Sequence, residues 1–258
     1  AKLNMPEQEN KKVQNLHTIV ILDRSGSMGN NYEIMLNDVI PNLLINLNYK
    51  EDEKIDIITF DSEFEKYELT INQLKQLKQS CRGCTYMKPA IEYLQKIFEK
   101  YSKEKNSYRI LTISDGELHD QDETMKESDK IKDFLKDKNY IINSQAIRLF
   151  TSSTGTPETR GLASILRLNT TENPFITDID AKLGSKNIVE IIANLFVNDG
   201  LDYEIYLKNI SNSEIFLNDP WEKPIEKYKL RTGENLFWIK NEIIEEIQPE
   251  VLLKPEGI

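Results

Sequence analysis

Between residues 16 and 197 the chain passes about six times from a short apolar, β-branched run to a stretch whose apolar positions recur every three or four residues. The first run, Leu16–Leu22 (LHTIVIL), has no polar alternation and predicts a strand buried on both faces. After it, Leu36, Val39, Ile40, Leu43, Leu44 and Leu47 form the stripe of an amphipathic helix over residues 30–47, with a kink expected at Pro41. A strand at 55–60, an edge hairpin through 64–71 and a short polar helix over 72–79 follow. Ala90, Ile91, Leu94, Ile97 and Phe98 mark a second amphipathic helix, and Arg109–Ile113 (RILTI) a second buried strand. The helix after it carries Met125, Ile131, Phe134 and Leu135. A strand at 140–149, a helix near 162–168, a strand near 175–177 and a last helix through Ile188, Ile192 and Phe196 complete the series.

Strand and helix in alternation predict an α/β fold, a doubly wound, mostly parallel six-stranded sheet with helices on both faces. From residue 201 the pattern changes to short alternating segments (DYEIYLKNI, SEIFLN, EKYKL, NLFWIKN) separated by turn residues, which predicts a small β module. The division expected is a polar tail over 1–15, the α/β domain over 16–198 and the β module over 199–258. That module holds both tryptophans, Trp221 and Trp238, but is small enough to be marginally stable alone.

Composition narrows the function classes. With 33 Lys and Arg against 43 Asp and Glu, the net charge of −10 disfavours generic binding to nucleic acid or an anionic membrane. No apolar run approaches the roughly 20 residues of a membrane span, and the polar start, AKLNMPEQENKK, is unlike a signal peptide. With two cysteines and two histidines in 258 residues, neither a disulfide framework nor a Cys/His zinc site is expected, and the protein reads as cytoplasmic.

In an open α/β sheet, ligands bind at the carboxyl ends of the strands. The first strand runs into Asp23-Arg24-Ser25-Gly26-Ser27-Met28-Gly29, the RILTI strand delivers Asp115, and the CRGCT loop offers Thr85 at the same rim. Two carboxylates and three hydroxyls from three loops suit a hard divalent cation, Mg²⁺ above all, with Mn²⁺ or Ca²⁺ also compatible. Any one of these segments alone would be read as an ordinary helix-capping turn; it is their convergence that points to a metal.

Asp23-x-Ser25-x-Ser27, the separate Thr85, and Asp115-Gly116 after a buried strand resemble the metal ion-dependent adhesion site of von Willebrand factor type A domains, with matching element order over residues 16–197. The resemblance implies that Ser25 and Ser27 bind the metal directly. Asp23 and Asp115 would act mainly through waters, and Thr85 directly or through water depending on conformation. It also implies an open coordination position for an Asp or Glu side chain of a protein partner. The function expected is therefore a noncatalytic, metal-dependent interaction module of the intracellular type, a scaffold or assembly component whose oligomeric state the sequence leaves open. Candidate partner contacts on the same loops are Arg24, Met28, Arg82, Tyr86, Lys88 and Glu117, with Glu158 and Arg160 on the polar loop 151–160. Arg24, Arg82 and Lys88 would steer an acidic segment electrostatically.

Two other functions compete. One is a metal-dependent phosphohydrolase with Asp23 as nucleophile, against which stand Ser25 in place of a second acid and the lack of a phosphate-cradling glycine loop or a His base beside the site. The other is a structural domain with a vestigial site. The chain departs from the family at Cys81-Arg82-Gly83-Cys84, read either as a redox-sensitive loop or as two packed thiols. The acidic stretch from Asp115 to Glu123 lacks calcium-loop spacing and is expected to be a solvated loop and first helical turn, with His119 exposed and His17 a core residue.

Overall fold

The computed structural model describes residues 2–5, 16–116, 118–150, 159–170, 176–196, 214–216, 233–236 and 238–240. The chain forms two compact units, one of residues 12–195 and one of residues 1–11 with 196–258.

In the smaller unit, β1 (Lys2–Met5) pairs antiparallel with a strand at Gly233–Leu236, and a strand at Glu214–Phe216 pairs antiparallel with one at Trp238–Lys240. The stretch expected to be a polar tail therefore contains a strand. KLNM alternates polar and apolar residues for only four positions, too few to register as a pattern in a polar context. The expected strands at 202–210 and 226–230, Trp221 and the side chain of Trp238 lie outside the described residues.

The larger unit is built on β2 (Leu16–Asp23), β3 (Ile55–Phe60), β4 (Phe64–Leu69), β5 (Ser107–Ser114), β6 (Ile141–Phe150) and β7 (Thr177–Asp180), ordered β4-β3-β2-β5-β6-β7. All neighbours run parallel except the edge strand β4. Each residue of β2, β3 and β5 is buried, as near-continuous apolar runs in the middle of a covered parallel sheet should be. Ile19, Ile21, Ile58, Phe60, Ile110, Ile142 and Ala146 face a core shared with α4 (Lys88–Tyr101), α5 (Gln121–Leu135) and the short helix α6 (Arg160–Ser164). The alternate residues, such as Val20, Leu22, Leu111 and Ile113, point to the other face. The crossover from β2 to β3 carries the first helices, α1 (Asn30–Ile34) and α2 (Ile40–Asn46), whose buried Tyr32, Ile40, Leu43 and Leu44 lie outside the core shared with α4–α6.

Between α1 and α2 the helix is wound as a π-segment over Met35–Val39, just ahead of Pro41, at which a kink was expected. Pro41 offers no N–H to the preceding turn and its ring crowds the carbonyl four residues back, so a wider turn relieves both problems without breaking the helix. Asn37, inside that segment, donates its side-chain amide to the Leu74 and Leu77 carbonyls at 3.0 and 2.9 Å. Those bonds cap the end of α3 (Ile71–Gln76), which starts in a Thr70/Gln73 capping box and stops before residue 79. The last strand also begins later than the expected 175–177. Asn169 exchanges two side-chain bonds with the Ser144 backbone, and Thr170 does the same with Ile142. The first half of β6 is thus satisfied by side chains, and β7 pairs only with Ile147–Phe150. Among the described residues no helix is long and apolar enough to cross a membrane. α7 (Ser185–Phe196) follows β7.

Candidate functional site

Chain order reverses at β2, with β3 on one side and β5 on the other, so the crevice at the carboxyl end of the sheet opens at Asp23. Asp23 is the last residue of β2 and is 0% exposed. One carboxylate oxygen, Oδ1, accepts the Ser25 amide at 2.8 Å, and Oδ2 accepts the hydroxyl of Ser114, the last residue of β5, at 2.6 Å. The Ser114 hydroxyl in turn accepts the Gly116 amide at 3.0 Å. That bond turns the chain sharply at Gly116, whose φ of +94° excludes most side chains, and carries Asp115 out of the strand next to Asp23. Burial pushes the Asp23 carboxyl up to about 7; the Ser114 hydroxyl works against this, and the negative charge of Asp115 adds to it.

Ser25 immediately precedes a 3-10 turn, Gly26–Met28, and Ser27 lies within it, with their hydroxyls 2.9 Å apart. Met28 is buried and pins that turn to the core. The third loop is laced to it by two backbone bonds, Arg82 N–H to the Arg24 carbonyl at 2.8 Å and Gly26 N–H to the Gly83 carbonyl at 3.2 Å. Gly83 takes φ +68°, and a Cβ there would lie 2.5 Å from the Ser62 hydroxyl, so this approach needs glycine. Two residues on, Thr85 is 2% exposed.

The arrangement suits a small hard cation. Metal–oxygen distances of about 2.1 Å put neighbouring ligands of an octahedron about 3 Å apart, the separation of the Ser25 and Ser27 hydroxyls. Among the described residues no Lys, Arg or His is paired with the buried Asp23, which leaves a desolvated carboxylate for which a cation would compensate. Among the described residues no three His, Cys, Asp or Glu side chains gather as a metal site.

The residues read as partner contacts are placed differently from one another. Arg24 is 3% exposed, and its guanidinium is held by Asp61 at 2.6 Å and Glu65 at 2.9 Å, so its charge is used inside the protein. Met28 is likewise buried. These two positions correct the sequence expectation: an Arg or Met on a motif loop looks available for contact until the tertiary partner is known. Arg82 is exposed but joins the same network, bonded to Asp61 and Glu65 at 3.1 Å each. Although burial opposes it, the Glu63 amide and the two guanidiniums hold the Asp61 carboxyl below the usual range, and the bonds from Arg24 and Tyr67 do the same for Glu65. Tyr86 is exposed, Lys88 half-buried, and Arg160 lies 3.7 Å from Asp122. Glu117, Glu158 and residues 151–158 of the polar loop are outside the described residues. Both thiols are free, Cys84 exposed and Cys81 half-buried, in place of the packed pair expected as the alternative to a redox loop.

Sequence reasoning missed three residues around the site. Ser114 stood beside Asp115 in the strand exit and could have been found from the alternation of β5. Asp120, expected in a solvated loop, is buried and accepts the Met87 and Lys88 amides at 3.0 and 2.8 Å, capping the start of α4 from another element. His119 is exposed as expected, yet its ring accepts the Thr85 amide at 3.2 Å. Nothing in the local sequence announces either contact.

Residues 18–117 match the family model described as the von Willebrand factor type A domain. No curated protein matches the sequence. Among solved structures, the pilus adhesin SpaC from Lactobacillus rhamnosus GG is 10% identical with a TM-score of 0.52, covering 83% of this chain, while this chain spans only 35% of SpaC. The SpRpn10 VWA domain is 15% identical with a TM-score of 0.50, covering 71% of this chain and 97% of its own. A von Willebrand factor type A protein from Catenulispora acidiphila is 14% identical with a TM-score of 0.50, covering 89% of this chain and 58% of its own. At these identities the likeness is one of fold. Over residues 18–117 the chain is thus similar to the von Willebrand factor type A domain, and its six-stranded sheet has a VWA-like fold.

Proposed function

We propose that the larger unit is a divalent-cation-dependent protein-interaction module that receives an Asp or Glu side chain of a partner at the carboxyl end of β2. The observation that carries this reading is the buried carboxylate of Asp23, paired with no Lys, Arg or His among the described residues, beside the adjacent hydroxyls of Ser25 and Ser27. In it, Ser25 and Ser27 hold the ion directly, Asp23 and Asp115 counter its charge, and Thr85 closes the set from the neighbouring loop. Mg²⁺, or Mn²⁺ in its place, would supply the positive charge that a carboxylate partner completes. Neutral hydroxyls as the direct ligands, with the two carboxylates acting through waters, leave the ion a stronger acceptor for an anionic partner group than direct carboxylate ligation would. The net charge of −10 weighs against nucleic acid and anionic membrane as the partner. Two free thiols fit a reducing, cytoplasmic setting.

A noncatalytic role is favoured over phosphohydrolysis because both Asp23 oxygens are engaged by Ser25 and Ser114 and the group is buried, a poor presentation for a nucleophile. Calorimetric titration of Mg²⁺ and Mn²⁺ into chelator-stripped protein, beside a folded Asp23→Ala/Ser25→Ala variant, tests the reading. Saturable binding lost in the variant is expected. Equal weak binding by both proteins would overturn it, and phosphatase turnover abolished by Asp23→Asn would favour the enzyme.

A further inference from the structure

The loop between β5 and α5 delivers Asp115 to the rim and, four residues later, reaches the loop that carries Thr85. His119 N–H donates to the Thr85 carbonyl at 2.9 Å, while the Thr85 N–H donates to His119 Nδ1 at 3.2 Å. Both backbone groups of Thr85 are therefore held by one residue, in a reciprocal bridge that resembles a strand pairing with a ring nitrogen in place of one carbonyl. Nδ1 accepts only in the tautomer with its proton on Nε2. The contact is braced on both sides. Leu118 is buried, and Asp120 takes the Met87 and Lys88 amides that follow Thr85. The Tyr86 ring stacks obliquely against the imidazole with centroids 5.6 Å apart, and the Tyr86 amide is fixed to the Asp61 carbonyl at 2.9 Å.

The geometry points to His119 as a positioning residue of the metal face: its Nδ1 fixes the backbone of Thr85, and with it the direction of the Thr85 hydroxyl, from the same loop that carries Asp115. This rests on the metal reading given above, and adds that Thr85 is positioned from the stretch of chain that also carries Asp115. Outer contacts that orient a ligand commonly alter metal affinity by about 10- to 100-fold when removed. A ring that merely filled space would have no such effect once replaced by another ring.

Three variants of the full chain separate these cases: His119→Ala, His119→Phe, which keeps a ring against Tyr86 without an acceptor, and His119→Asn, whose side-chain oxygen can take the place of Nδ1. Two quantities are read for each, the exchange rate of the Thr85 amide in metal-free protein by NMR and the affinity for Mg²⁺ alone by calorimetry. Faster Thr85 exchange and at least about tenfold weaker Mg²⁺ binding in the Ala and Phe variants are expected, with both restored toward wild type by Asn. Unchanged Thr85 exchange in the Phe variant overturns the positioning role whatever the metal does, and so does unchanged Mg²⁺ affinity in that variant when the wild type binds. A wild-type chain that binds no Mg²⁺, but whose Thr85 exchange follows the expected series, overturns the metal reading and leaves the backbone bridge standing.

Discussion

Asp23 is held in a fold that does not favour its charge. Burial raises its carboxyl to about 7, whereas an unfolded chain ionises the same group in the ordinary carboxylate range. Between those two values the folded state holds the proton that the unfolded state has lost, so metal-free stability falls as pH rises toward 7 and stays low above it. Asp23→Asn removes that cost and should stabilise the metal-free protein at pH 8 by roughly 2–4 kcal/mol in urea denaturation, while abolishing Mg²⁺ binding. An Asn variant less stable than wild type at pH 8 would show that the charge is not strained. Proton and cation also compete for the same carboxylate. Apparent Mg²⁺ affinity should therefore rise from pH 6 to pH 8, and a flat profile in calorimetry would contradict this. At this scale the sequence could place Asp23, Ser25, Ser27 and Asp115 at strand exits, because strand ends follow from apolar runs. It could not place Arg24, Asp120 or His119, whose partners lie 37, 32–33 and 34 residues away in the chain.

The loops that form the rim depend on one another more than on their own sequence. Arg24 and Arg82 hold Asp61 and Glu65, joining the first loop to the edge hairpin, and Gln79 bridges Glu65 to Tyr32 at 2.8 and 2.5 Å. Replacing the Asp61 carboxylate takes from the buried Arg24 its shorter ion pair and leaves it Glu65 alone. Asp61→Asn should cost roughly 1–3 kcal/mol in urea denaturation, and an effect under about 0.5 kcal/mol would show that Glu65 and water replace the bond. Because the fold depresses the Asp61 and Glu65 carboxyls, the stability they contribute is present above the ordinary carboxylate range and is lost as pH falls through their lowered values. Gly83→Ala forces a side chain into the left-handed region and against Ser62. It should cost about 1–2 kcal/mol and weaken Mg²⁺ binding by displacing the Gly83 carbonyl from Gly26, whereas wild-type affinity would show that the two loops are not coupled. Among the elements, β2, β3 and β5 were legible as short runs rich in apolar, β-branched residues. The start of β7 was not, because Asn169 and Thr170 satisfy the first half of β6 with side chains, a substitution that no periodicity reveals.

For the whole molecule, the α/β unit of residues 12–195 carries all five candidate oxygen donors and its own core. A fragment of residues 12–196, which keeps α7 entire, should unfold cooperatively and bind Mg²⁺ with the affinity of the full chain; loss of binding in a folded fragment would give the second unit a part in the site. The smaller unit was harder to read because its ladders join distant pieces of chain, residues 2–5 with 233–236. Such pairings leave no local signal. The proposed function requires a cation between the Ser25 and Ser27 hydroxyls beside Asp23. The most direct test is a crystal of the protein soaked in MnCl₂, with an anomalous difference map recorded at the manganese edge. One dominant peak within coordination distance of both serine hydroxyls is expected. A map with no peak there, or with its strongest peak at another set of carboxylates, would contradict it.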